Sequence, residues 1–198
     1  AIASFLIWKS PKPAISDASK KAIAVLPFKT LVGDSRNEAL ELGMADTLIN
    51  KLSGIRELIV RPISDVRKYS GLEHDPLAAG RQLGVDYVLE ANIQMVGEKT
   101  KVTWRLLSVK DGSAVWADKC DEQCNDVFEL QDAISEQIAG ALALKLSDEE
   151  KKQLVKHYTD SPEANQLYNL GVAERDIKKK VEYFDQAVKT DPNYALAY

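Results

Sequence analysis

Between Asp86 and Cys120 three strand-like segments follow one another across turn signals, the first with apolar residues at every second position, and this run constrains the fold more than any other feature of the chain. In DYVLEANIQMVG, residues Tyr87, Leu89, Ala91, Ile93 and Met95 share one face while Glu90, Asn92 and Gln94 share the other. That is the signature of a strand with one packed side and one wet side. GEKT and KDGS then supply turn signals, the Asp111-Gly112 pair being a strong hairpin cue. KVTWRLLSV and SAVWADKC read as the next two strands, so the segment predicts an antiparallel meander. From Asn125 the period becomes helical, with Val127, Leu130, Ile134, Ile138, Leu142 and Leu146 marking a long amphipathic helix.

Upstream, AIAVLPF (22–28) is a short apolar run closed by a proline and reads as a buried strand. Leu40, Met44, Leu48 and Leu52 follow at intervals of four, with Leu42, Ala45 and Ile49 beside them, which predicts a helix. Asp34 or Ser35 is the expected N-cap and Gly54 the expected stop. LIVRP reads as a second strand, and Pro76 opens a short helix carrying Leu77, Ala78 and Leu83. The order β-α-β-α-β-β-β-α over residues 21–147 predicts an α+β domain, a two-layer mixed sheet with helices on one face.

Residues 148–160 form a charged joint, and Ser161-Pro162 marks a new helix start. Over residues 161–198, Tyr168 and Gly171 on one helix, Phe184 and Ala187 on a second, and then Pro192 resemble a tetratricopeptide unit. Tyr168, Gly171, Phe184 and Tyr194 are therefore the candidate interaction residues. Gly171 to Pro192 is about three residues shorter than that repeat requires, and Lys180 falls where it wants a small side chain. The shortfall predicts that residues are missing between Asp176 and Lys180.

Composition narrows the function. An apolar fraction of 45% and a charged fraction of 28% are those of a soluble globular chain. A net charge of −4 with 7% aromatic residues argues against phosphate-backbone binding and base stacking by this segment. The first residues, AIASFLIW, are apolar apart from Ser4 and give way at Lys9 to the linker KSPKPAISDASKK. Eight helical residues reach only about 12 Å, short of a bilayer core of about 30 Å. The run fits the outer end of a transmembrane helix, the remainder of a signal peptide, or an apolar arm packed on the domain. The abrupt change into a linker favours the first, although Lys9, Lys12, Lys20 and Lys21 run against it under the positive-inside rule.

No catalytic, cofactor-binding or metal-binding residues emerge. His74 and His157 stand far apart, outside any His-Glu-x-x-His spacing, and read as solvated loop histidines. There is no nucleophile elbow, phosphate-binding loop or dinucleotide glycine fingerprint. Glu38, Glu41 and Asp46 lie at helical spacing and read as a solvated face. Lys178 to Lys180 read as an exposed helix start, and Trp104 and Trp116 as core. Cys120 and Cys124, the two cysteines of the chain, lack further zinc ligands nearby and the C-x-x-C redox spacing. A turn at the strand-to-helix corner would bring them within disulfide reach, and closing so short a loop contributes about 2 kcal/mol in the chain-entropy account.

Together, AIAVLPFKTLVGDSRNEALELGMADTLINKLSGIRELIVRPISDVRKYSG, DPLAAGRQLGVDYVLEANIQ and VTWRLLSVKDGSAVWADKCDEQCNDVFELQDAISEQIAGALA resemble the TolB amino-terminal-like domain. The order of an apolar segment, this module and a tetratricopeptide unit is similar to that of membrane-anchored CadC-like winged-helix regulators. The resemblance implies a non-catalytic sensing or protein-interaction region, periplasmic and tethered to the inner membrane, with nucleic acid bound only through a winged helix outside this chain. It implies a protein or peptide partner, or a second copy, and no cofactor. A receptor serine/threonine kinase, a nucleotide cyclase or an envelope scaffold protein are the alternative contexts. In an oxidising compartment Cys120 and Cys124 are expected to form a local disulfide.

Overall fold

A computed structural model describes residues 20–31, 36–71, 74–96, 99–120 and 127–198. Six strands form one mixed sheet: β1 (Lys21–Val25), β2 (Lys29–Thr30), β3 (Leu58–Val60), β4 (Tyr87–Val96), β5 (Lys99–Ser108) and β6 (Ala114–Cys120). Their order is β3-β1-β4-β5-β6, and β2 continues the line of β1 by pairing with β4 farther along. β1 runs parallel to β3 and β4, whereas β4, β5 and β6 form the antiparallel meander that the alternation predicts. The β4–β5 ladder holds register from Tyr87↔Ser108 to Val96↔Lys99. Register shifts between Leu106 and Leu107 where β5 meets β6.

Among the described residues seven α-helices accompany the sheet: α1 (Glu38–Ser53), α2 (Ile63–Val66), α3 (Pro76–Leu83), α4 (Val127–Ala141), α5 (Asp148–Leu154), α6 (Pro162–Ala173) and α7 (Ile177–Thr190). Local chemistry sets their ends. Asn37 caps α1 by accepting the Leu40 N–H, while Asp34 and Ser35 lie outside the described residues. Asp75 caps α3 ahead of Pro76, and Gly84 closes it in the left-handed region at φ 63°. The joint is more ordered than a charged linker. Ser147 and Glu150 form a reciprocal capping box that starts α5 within it. Ser161 caps α6 with Pro162 in the first turn, as expected. Among the described residues no helix is long and apolar enough to cross a membrane.

The mixed α/β architecture is as the sequence predicts, with one difference. Leu89, Ala91 and Ile93 pair across β5 with Leu106, Trp104 and Val102 on the face that carries α4, where the Trp104 indole donates to Gln137. Val88 points to the opposite face, and α3 packs there. A Cβ on Gly80 would stand 2.6 Å from Val88 Cγ2 and 2.5 Å from Val109 Cγ2, so only glycine lets this helix come so close. Helices therefore cover one face broadly and the other at the β1 end, because the parallel strands must be buried on both sides.

The main core lies between the sheet and α1. Met44, Ala45, Leu48, Ile49 and Leu52 of α1 pack with Ile23, Val25, Leu89 and Leu106 of the sheet, and Ile134 and Ile138 of α4 extend the cluster. Leu48 has no solvent exposure. Leu48→Ala is expected to destabilise the chain by about 2–5 kcal/mol, read as a lowered urea midpoint with unchanged slope.

Candidate functional site

The four candidate interaction residues come together, and they do so inward. α6 and α7 form an antiparallel pair with Tyr168 at its centre, its ring 5.5 Å from Phe184 and 5.1 Å from Tyr194. Tyr194 is buried and donates its hydroxyl to Asn165 Oδ1 at 3.3 Å. A Cβ on Gly171 would stand 2.4 Å from Phe184 Cε1, so this glycine exists to admit the ring. Tyr168 and Tyr194 thus hold the helical pair to the rest of the chain and present nothing to solvent. The connection between α6 and α7 is also closed. Glu174 accepts from the Arg175 and Asp176 N–H groups, and Asp176 then caps α7 through Lys178 and Lys179. The stretch from Asp176 to Lys180, where the spacing predicts missing residues, forms a tight capped turn.

The pair docks on α1. Helix α6 runs antiparallel to it, with Asn169 against Gly43 and Arg175 paired to Glu38 at 4.0 Å. The Tyr168 hydroxyl donates to the Asp46 carboxylate, which also accepts from Asn50. Arg67 donates to the carbonyls of Val172 and Ala173 at the end of α6, where a cation complements the helix dipole. Burial pushes the Asp46 carboxyl above the ordinary aspartate range, against the opposing pull of Tyr168, Asn50 and Arg67. The reading of Glu41 and Asp46 as a solvated face is therefore corrected. Both are buried, Glu41 because it accepts from Arg36 and from the Thr30 N–H.

A second polar knot joins α1, α4 and the joint. Lys51, 1% exposed, donates to Asp132 and to the Leu154 carbonyl. The other oxygen of Asp132 lies 2.8 Å from His157 Nε2, and Asp160 lies 3.7 Å from His157 Nδ1. The His157 ring also stacks on Phe128 with centroids 5.3 Å apart. His157 is exposed, as a solvated loop histidine is expected to be, and also bridges Asp132 and Asp160. His74 is half-buried beside Tyr69, and burial, followed by the nearby Lys29, holds its pKa below the usual histidine value. The two histidines do not come together, and among the described residues no group of three or more His, Cys, Asp or Glu side chains could hold a metal ion. Sequence reading missed Lys51, Asp132 and Arg67 because the Lys51–Asp132 and Arg67–Ala173 contacts join residues more than 80 positions apart along the chain. Trp104 is buried and Trp116 packs beside it at 6.1 Å, so both belong to the core as expected.

Cys120 ends β6 and is disulfide-bonded, whereas Cys124 lies outside the described residues. The apolar side chains open to solvent on the helical pair belong to α7 and the segment after it. Ile177 is 77% exposed, Val181 51% and Tyr198 83%.

Asp46 supplies a pH test of the docked seam. A carboxyl whose folded value is raised stabilises the chain fully below the ordinary value of 3.8, and that contribution is lost as pH rises through the folded value. Asp46→Asn removes this loss. Its urea midpoint is expected to fall less than that of the unsubstituted chain between acid near the ordinary aspartate value and neutrality.

Residues 19–137 match the HilA/YgeH-like transcriptional regulator family, second domain. The chain is 30% identical over 161 residues to a putative adenylate cyclase 3 of Rhizobium meliloti, a match covering 81% of this chain and 27% of that protein. Among solved structures it is similar to TolB from Acinetobacter baumannii, with a TM-score of 0.44 and 14% identity over 62% of this chain and 28% of that one. It is similar also to lipoprotein GNA1162 from Neisseria meningitidis, with a TM-score of 0.42 and 19% identity over 61% of this chain and 99% of that one. The chain thus spans about a quarter of the cyclase and of TolB. By the match over 19–137, it belongs to the HilA/YgeH-like transcriptional regulator family and carries that family's second domain.

Proposed function

We propose that this chain is the non-catalytic, extracytoplasmic interaction region of a membrane-anchored transcriptional regulator whose DNA-binding domain lies outside it. The match to the second domain of a transcriptional regulator family carries this reading. Three observations support it. The described residues pair their buried charges within the fold, as Lys51 does with Asp132 and Glu90 with Arg105, leaving packing surface as what the module offers. The helical pair, read as a tetratricopeptide unit, turns the apolar side chains Ile177 and Val181 outward. A disulfide at Cys120 suits an oxidising compartment. Cys120 and Cys124 form that bond within one chain in this reading, and a protein or peptide, or a second copy, is the partner.

A second reading, an equivalent region of a nucleotide cyclase, is favoured by the cyclase match, whose 161 residues are too many to fall within residues 19–137. The two readings share this module and differ in output. Deleting residues 21–198 from the full-length protein, with reporter transcription and cyclic AMP both measured, separates them. Loss of regulated transcription at constant cyclic AMP is expected; an unchanged transcriptional response would sink the sensor role, and a changed cyclic AMP level would transfer it to a cyclase. Non-reducing mass spectrometry of the undeleted protein is expected to show the Cys120–Cys124 bond, and two free thiols would refute it.

A further inference from the structure

The two sides of α1 are built from different materials. Toward the sheet it presents Met44, Ala45, Leu48, Ile49 and Leu52, an apolar surface packed into the main core. Toward α6 it presents Gly43, Asp46 and Thr47. In that second seam the Thr47 hydroxyl and the Asn169 carboxamide oxygen are buried without a protein partner among the described residues. Each such atom costs on the order of 1–3 kcal/mol relative to a paired one. Asp46 is a buried carboxylate held by a tyrosine hydroxyl and an asparagine amide. Leu42 is the apolar side chain of α1 that belongs to the small cluster of the helical pair. Polar interfaces within a chain are where cooperative units separate.

We propose that α6 and α7 leave α1 as one cooperative unit while the α/β domain stays folded, with the Asp46–Tyr168 bond and the Arg67 clamp on α6 as the latch. A lone pair of helices of this length is below what stands by itself in water, so release is also unfolding of α6 and α7. The closed state covers Leu42, Gly43 and Asp46 on the outer side of α1; the open state uncovers them. A ligand that recognises the folded helical pair therefore favours the closed state by its differential affinity, and anything that recognises uncovered α1 opposes it. This device stands whether the output domain is a transcription factor or a cyclase.

Native-state hydrogen exchange on the 198-residue chain tests it. Amides of α6 and α7 are expected to exchange through a common opening at least about 100-fold more frequent than that of β4 and β5. Tyr168→Phe, which leaves Asp46 without its hydroxyl donor, should speed the common exchange by about 10-fold and leave β4 and β5 unchanged. Thr47→Val removes an unpaired buried hydroxyl at nearly constant shape and should slow the α6–α7 exchange by about 3-fold. Equal protection of α6, α7, β4 and β5 in the unsubstituted chain overturns the proposal, as does a Tyr168→Phe effect shared equally by the sheet.

Discussion

The structure depends on the burial of α1 from two sides. Eleven of its sixteen residues are buried, which no helix lying on a sheet under solvent would achieve. The sheet side follows from the hydrophobic effect alone, since Leu48 and Leu52 find the apolar floor of β1 and β4. The outer side is possible because Gly43 lacks a side chain where Asn169 arrives and because each buried charge has been given a partner. Remove α6 and the same helix would expose Leu42 and leave Asp46 without its tyrosine. The α/β domain and the helical pair therefore share one structural element, α1.

This explains what the sequence could show and what it could not. β4, β5 and the Asp111-Gly112 turn are legible because alternation and turn chemistry are local properties, and they appear at the predicted places. Ser161-Pro162 announces α6 for the same reason. The outer side of α1 was illegible. Glu41, Asp46 and Lys51 at helical spacing look identical to a solvated face until Arg36, Tyr168 and Asp132 are folded against them. The last two of those partners lie 122 and 81 positions away, beyond the reach of any window of periodicity. β2, two residues long, carries no period at all and exists because β4 extends past the end of β1.

The histidines mark a different limit. A lone histidine in a polar segment is usually wet, and His157 sits in such a segment. It stays exposed, yet it is held by Asp132, whose carboxylate binds the fully buried Lys51 on one oxygen and meets the His157 ring on the other. A buried ammonium requires a carboxylate, and a carboxylate between two elements recruits a further donor. The joint is thereby fixed to α1 and α4 through its side chains, and α5 is ordered inside it by the Ser147–Glu150 box.

The same logic separates the inward aromatic side chains of the helical pair from its exposed apolar ones. The aromatic residues that a repeat pattern brings to notice, Tyr168 and Tyr194, are spent on docking to α1 and on each other. The apolar stripe of α7 has an inner half and an outer half. Phe184 and Ala187 reach the shared core, while Ile177 and Val181 one and two turns earlier extend past the end of α6 into solvent. Three lysines, Lys178, Lys179 and Lys180, flank that outer half on the first turn of α7. The turn at this end of α7 is the one that Asp176 caps, and it leads directly into α6 against α1. The exposed end of α7 and the polar seam on α1 are thus joined through α6 and one short capped turn.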